Sequence, residues 1–276
     1  MKILILGSSG ILGTSMEDVC KEKEINYSAV SHNDIEITNF KASDILKYGC
    51  GVVLNGVGMM GVNFCEEDPF KAFAINSASI SKLAKICQEN NLLLIQPSTH
   101  AVFGGTKATL CDEESIPNPT SIYGISRYAS EFIVKSTCDQ HYILRFPPLF
   151  GRRRNNGTGF IDKLPQLLKD GKDLKVSADN QDSFTYSKDL SKKIIMLLHE
   201  REPCGVYHIA NDGFPTYYEF ACRMRDLYGL RNKIEKVSDM GFKSKASKPL
   251  NAKMSSIKIP LLRSWDEALE EFTQEK

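Results

Sequence analysis

The sequence predicts an α/β fold, a doubly wound parallel sheet with a smaller lobe at its C-terminal end. Three observations predict it. Short, nearly continuous apolar runs alternate with amphipathic stretches from "KILILG" to "YILRFP", the texture of strands buried on both faces with helices crossing between them. A glycine-rich turn, "GSSGILG", follows the first apolar run directly. After Pro148 the pattern gives way to "LFGRRRNNGTGF", a polar, basic loop that leads into a second unit.

Taken in order, "KILILG" is the first strand and a helix begins near Ile11. Strands "NYSAVS" and "VVLNGVG" come next, then a helix from about Pro69 to Asn90, strand "LLLIQPS", a helix from about Ser121 to Thr137, and strand "YILRFP". Beyond the basic loop come a helix around Phe160 to Lys169, the stretch "LKVSADNQDSFTY", a helix near Asp189 to His199 and the strand "GVYHIA". Thr216 to Lys276 reads as mostly helical and richer in Lys and Arg. The expected division is a core over residues 1–150 and a lobe over 151–276, with segments at about 180–210 returning to the core.

Composition narrows the functional classes. The chain has 276 residues, 42% hydrophobic and 25% charged, with a formal net charge of +1, which is ordinary for a globular protein and argues against nucleic acid or a membrane surface as partner. No apolar run reaches the ~18 residues of a membrane span. The opening run breaks at Gly7, too early for a signal peptide, so a cytoplasmic location is expected. The eight cysteines form no C-x-x-C pair and read as reduced thiols; no metal site is expected.

"GSSGILG" places Gly7, Gly10 and Gly13 between the first strand and the first helix. Gly7 allows the tight turn, Gly10 lets backbone approach a pyrophosphate, and Gly13 permits close packing of helix on strand. Free amides and the positive dipole end of the helix then face the phosphates, with Ser8, Ser9 and Ile11 at the mouth. This is the Rossmann arrangement for a dinucleotide. Ser31 and His32 stand where an acid would bind an adenosine ribose, and Asp34 lies further on. Without an acid at that point, NADP(H) is the preferred cofactor and NAD(H) the alternative.

"YGISR" puts Tyr123 and Arg127 four residues apart on one helix face. Hydride addition to a carbonyl leaves negative charge on its oxygen. A hydroxyl such as that of Thr99 can hydrogen-bond this oxygen and a tyrosine can protonate it. A neighbouring cation stabilises a phenolate.

These stretches, together with "VVLNGVGMMGVNFCEEDPFKAFAINSASISKLAKIC", "PSTHAVFGGTKATLCDEESIPNPTSIYGISRYASE", "GVYHIANDG", "SKPLNAKMSSIKI" and "LLRSWDEALEEF", resemble the extended short-chain dehydrogenase/reductases. Within that family the resemblance is to the dTDP-4-dehydrorhamnose reductase group. It implies NAD(P)H-dependent reduction of a 4-keto group on a nucleotide-activated deoxysugar, for polysaccharide biosynthesis. It also implies a catalytic set of Thr99, Tyr123 and, at the usual lysine position, Arg127. By position it adds Glu36 and Ile37 beside adenine, Asn55, Gly56, Val57, Gly58 and Asn76 beside diphosphate and ribose, and Phe146 and Pro147 near the nicotinamide. Packing in the core is the alternative for these apolar residues. Ser98, His100, Arg152 and Arg153 are expected on the substrate side, where one or two arginines would clamp a diphosphate. Lys243, Lys245 and Lys248 would add to that field.

Two departures stand out. Arg127 keeps the lysine's charge but is a poor proton relay because it practically never deprotonates. His100 replaces the acid that follows Ser-Thr in the group. The alternatives are therefore a weakened, cofactor-binding regulatory subunit, like that of methionine adenosyltransferase, or an epimerase or dehydratase of the same fold. A homodimer is the candidate assembly.

Overall fold

The structure, a computed structural model, describes residues 1–104, 109–155, 157, 159–179, 181–238 and 252–275. The first strand, β1 (Ile3–Leu6), is wholly buried and runs through the glycine turn into α1 (Ile11–Glu22). Next come β2 (Tyr27–Val30), α2 (Ala42–Leu46), β3 (Val52–Asn55) and α3 (Val62–Glu67). Asp68 caps α4 (Pro69–Phe73) through the Lys71 amide at 3.0 Å, with proline at the first helical position.

The expected continuous helix to residue 90 is interrupted. A π-helical turn, Ala74–Ala78, separates α4 from α5 (Ser79–Glu89), and such turns mark places where a helix yields its regular ladder to another demand. Here the turn carries Asn76, which bonds the loop at Met59, and Ser77, whose hydroxyl donates to the Ser126 carbonyl of the helix over 122–137.

Strand β4 (Leu93–Pro97) ends in a 3₁₀ turn, His100–Val102; β5 (Thr109–Cys111), α6 (Ile122–Thr137) and β6 (His141–Arg145) follow. The remaining elements are β7 (Leu149–Phe150), α7 (Phe160–Lys169), β8 (Leu174–Ser177), β9 (Thr185–Tyr186), α8 (Ser187–Glu200), β10 (Gly205–His208), β11 (Asn211–Asp212), α9 (Tyr217–Leu227), β12 (Ile234–Val237), β13 (Ala252–Met254), β14 (Leu262–Ser264) and α10 (Trp265–Gln274).

Six strands form one parallel sheet in the order β10-β6-β4-β3-β1-β2. Alternate residues of β1 serve opposite faces. Ile3 and Ile5 join Leu12, Met16 and Val19 of α1 and Leu190 and Ile194 of α8, whereas Leu4 and Leu6 join Ile80 and Leu83 of α5 and Val134 of α6. Burying such side chains on both faces supplies the main favourable term for folding. A third cluster, rich in aromatics, gathers Phe150, Phe184, Tyr186, Phe220 and Phe272, with Phe184 stacked on Phe220 at 4.4 Å. The segment from Thr216 onward corrects the expectation of a mostly helical end. It holds only α9 and α10 as helices among the described residues, with β12, β13 and β14 between them pairing back onto β8, β5 and β11.

Candidate active site

The three glycines of the first turn are there for different reasons. Gly7 has φ +73°, and a Cβ on it would come within 2.8 Å of the Gly56 backbone. A Cβ on Gly13 would come 2.4 Å from the Gly7 carbonyl oxygen. At Gly10 the nearest atom to a Cβ is 3.4 Å away. Folding demands glycine at positions 7 and 13, but at 10 it leaves space before the first amides of α1, where a phosphate would approach. Ser9 and Ile11 flank this mouth half-buried, and the Ser9 carbonyl accepts from the amides of Arg154 and Asn155, both at 3.1 Å.

At the end of β2 the absence of an acid does not hold in three dimensions. Asp34 folds back so that its carboxylate accepts from the Ser31 amide at 2.8 Å and the Ser31 hydroxyl at 2.9 Å. Those two bonds hold its proton affinity below the usual carboxylate range. Glu36 is exposed and turned onto Thr38, whose amide and hydroxyl likewise lower it. Ile37 packs in the core.

Other expected contacts are bonded within the chain. Asn55 is fully buried, donating to the Gln96 side chain at 3.0 Å and accepting from the Val57 amide at 3.2 Å. It shapes the β3 turn, in which a Cβ on Gly56 would lie 2.6 Å from the Leu6 carbonyl oxygen. Asn76 is also fully buried and bonds both backbone groups of Met59 and the Ser126 hydroxyl. Ser98 donates to Glu131 at 2.6 Å. These three side chains are hydrogen-bonded within the chain. Phe146 packs with Leu12 and Met16, Pro147 is buried beside it, and the Phe146 carbonyl accepts from the His100 amide at 3.1 Å.

Thr99 leads the 3₁₀ turn, and its hydroxyl oxygen accepts from the Ala101 amide at 3.1 Å. Helix α6 begins against that turn. Ser121 caps it through the Gly124 amide at 3.2 Å, Glu66 accepts from the Ile122 amide at 2.9 Å, and a Cβ on Gly124 would lie 2.3 Å from the Ala101 carbonyl oxygen. This close approach brings Tyr123 up to the Thr99 turn, in one cluster with Ala101 and Cys65. One turn on, Arg127 is 4% exposed, and its Nε and Nη1 have no partner among the described residues. Its Nη2 meets the Met60 sulfur at 3.2 Å, and the Tyr123 hydroxyl meets the same sulfur at 3.6 Å. Room for the guanidinium comes from Gly58, where a Cβ would sit 2.0 Å from Nη2.

Two arginines of the basic loop are paired with acids. Arg153 pairs with Asp162 at 2.6 Å and Arg154 pairs with Glu17. Arg152 lines a cavity of about 140 Å³ with Ser15, Asp18, Glu22, Lys188 and Glu275. Arg153 and Arg154 are thus paired with acids, while Lys243, Lys245 and Lys248 lie outside the described residues. Met60 and Asp182 were not anticipated. The "GMMG" run was the only signal for Met60, and nothing local marked Asp182, whose carboxylate crosses from the β8–β9 segment to the His100 Nε2 at 3.3 Å.

A nicotinamide dinucleotide fits this arrangement on two grounds. The glycine mouth is open only at Gly10, and a buried guanidinium beside Tyr123 has two nitrogens, Nε and Nη1, without partners among the described residues and suited to ribose hydroxyls. The parallel sheet, the glycine turn and the Thr99–Tyr123–Arg127 grouping define a protein of the extended short-chain dehydrogenase/reductase class. More narrowly, the chain belongs to the family described as "RmlD substrate binding domain", whose model matches residues 1–276. It is 27% identical to the spore coat polysaccharide biosynthesis protein SpsK of Bacillus subtilis, covering 100% of this chain and 98% of that protein. Among solved structures it resembles dTDP-4-dehydrorhamnose reductase from Bacillus anthracis in complex with NADP, at 27% identity and a TM-score of 0.89 over 100% and 99% of the two chains. It also resembles the Clostridium acetobutylicum reductase, at 28% identity and a TM-score of 0.87 over 99% and 98%.

Proposed function

We propose that this protein reduces the 4-keto group of a nucleotide-activated deoxysugar, as a dTDP-4-dehydrorhamnose reductase-like enzyme of polysaccharide biosynthesis. The observation that carries the reading is Arg127, a buried cation one helical turn from Tyr123 whose Nε and Nη1 have no partner among the described residues. NADP(H) is the cofactor in this reading and NAD(H) the alternative. The NADP-bound Bacillus anthracis relative weighs for the first, and the Asp34 carboxylate held on Ser31 weighs for the second. The cofactor supplies the hydride. Gly10 and the first amides of α1 hold its phosphates, and Arg127 takes a ribose hydroxyl once Met60 swings aside. Thr99 donates a hydrogen bond to the substrate oxygen and Tyr123 gives it a proton. The lobe over 151–276 forms the sugar-nucleotide side of the cleft. We further propose a cytoplasmic location, with a homodimer as the candidate assembly.

The test is oxidation of NADPH and NADH with dTDP-4-dehydrorhamnose and related 4-keto-6-deoxysugars, for the parent, Tyr123→Phe and Arg127→Lys. Turnover by the parent that falls 100-fold or more in Tyr123→Phe is the expected result. A parent that binds dinucleotide tightly yet turns over no 4-keto sugar points instead to a regulatory subunit. Sugar isomers or dehydrated products without net oxidation of the nucleotide point to an epimerase or dehydratase.

A further inference from the structure

Thr99, His100 and Asp182 form a continuous hydroxyl–imidazole–carboxylate chain. The His100 Nε2 is 3.3 Å from Asp182 Oδ2, and its Nδ1 is 3.5 Å from the Thr99 hydroxyl oxygen. The His100 and Asp182 side chains are 12% and 11% exposed. They come from opposite walls, His100 from the turn after β4 and Asp182 from the segment between β8 and β9. Both walls are fixed, because the His100 amide is bonded to Phe146 at 3.1 Å and the Asp182 amide to Pro215 at 3.2 Å. Oδ1 of Asp182 is enclosed without a partner among the described residues. Asp182 and Thr99 are the groups recorded against the ring, one from each wall.

The consequence is for the direction of one hydrogen. The Ala101 amide already takes one lone pair of the Thr99 oxygen. An imidazole lacking hydrogen on Nδ1 draws the Thr99 hydroxyl hydrogen toward itself. A doubly protonated imidazole donates to the second lone pair instead and frees the hydroxyl hydrogen for another acceptor. We propose that His100, paired with Asp182, is a positioning residue that in its doubly protonated form turns the Thr99 hydroxyl hydrogen toward the substrate oxygen. This rests on the reductase reading.

The test uses His100→Gln and Asp182→Asn in the full chain, with two readouts. The first is the imidazole nitrogen shifts of the five histidines at pH 7, His100 being assigned by its loss in His100→Gln. Asp182→Asn is expected to move His100 toward the neutral form. The second is kcat against pH with dTDP-4-dehydrorhamnose and NADPH. The parent's kcat is expected to fall as pH rises through the histidine range. His100→Gln is expected to lose tenfold or more in kcat at pH 6.5 and to lack that limb. An unmoved His100 signal in Asp182→Asn overturns the pairing whatever the activity. A His100→Gln variant with the parental kcat and pH profile overturns the positioning role. A parent inactive on every 4-keto sugar overturns the reductase reading instead, even where the nitrogen shifts move as expected.

Discussion

Two buried arginines in this protein meet opposite fates. Arg145, at the end of β6, is 2% exposed and forms a bidentate pair with Glu131, at 2.9 Å through Nε and 2.6 Å through Nη2. Glu131 also takes the Ser98 hydroxyl at 2.6 Å. Arg127, on the same helix as Glu131, is 4% exposed, faces a methionine sulfur and leaves Nε and Nη1 unmet among the described residues. Removing a guanidinium from water costs several kcal/mol and is offset only by charge and hydrogen bonds. Arg145 has that compensation within the chain. Arg127 lacks it, which marks a site whose remaining partners come from outside. Burial alone does not separate a structural charge from a functional one; its hydrogen-bond partners do.

The largest effect should come from opening the satisfied network. Glu131→Gln keeps the shape and leaves Arg145 without a counter-charge, so chemical denaturation should show a loss of about 3–5 kcal/mol. A loss below about 1 kcal/mol would mean that Arg145 is not held by charge. The matching change on the other side is Arg127→Met. Stability of the free protein should stay level or rise, because an uncompensated charge is removed, while NADPH affinity should fall tenfold or more, the scale of a lost charged hydrogen bond. If Arg127→Met destabilises as much as Glu131→Gln, the two arginines are alike and the distinction fails.

A smaller change tests whether Arg127 is bedded or merely tolerated. A methyl on Gly58 would lie 2.0 Å from Nη2. Gly58→Ala should therefore displace the guanidinium, with an overpacking cost of about 1–3 kcal/mol. Combining it with Arg127→Lys, whose slimmer end clears the methyl, should recover most of that cost. A Gly58→Ala protein with unchanged melting temperature and NADPH affinity would separate Gly58 from Arg127.

The fold and the glycine turn were legible because their signals are local. Strand texture, the spacing of Gly7, Gly10 and Gly13, and the Tyr123–Arg127 interval all lie within a few residues of one another. What was not legible depends on the chain's return. Asp34 reaches Ser31 through a turn of three residues, and Asp182 reaches His100 across 82 positions. Ser98, Asn55 and Asn76 are expected beside substrate or cofactor by their position in the resembling group. Their internal partners Glu131, Gln96 and Met59 are distant in sequence, so those bonds were not legible. The arginine run was legible as a loop, but not its acids, Asp162 and Glu17.

The smallest expected effect comes from acid, and it should strike the closed network first. His208 is 1% exposed, with Nδ1 3.0 Å from the Ser255 carbonyl and Nε2 3.4 Å from Arg145 Nη1. Those contacts suit a neutral ring that donates from Nδ1 and accepts at Nε2. Burial, aided by the Arg145 charge and opposed by Glu113, holds its proton affinity below that of an ordinary histidine. In the unfolded chain a histidine takes its proton near pH 6.5. The folded value lies lower, so below about pH 6.5 the unfolded state binds more protons and stability falls with pH. Glu113 follows at lower pH. Its burial is outweighed by hydrogen bonds from the Ser256 hydroxyl and the His208 and Ile257 amides, which depress its carboxyl. Its share is therefore complete above the ordinary glutamate value of about 4.3 and lost as pH falls through the folded one. Thermal unfolding at pH 7.5, 6 and 5 should show the parent losing about 2–4 °C for each kcal/mol, and His208→Gln losing less over the same interval. Parallel curves for the two proteins would remove His208 as the acid-sensitive member. A fall in the parent alone would place the acid response on the Arg145 side, away from Arg127, whose charge does not titrate in this range.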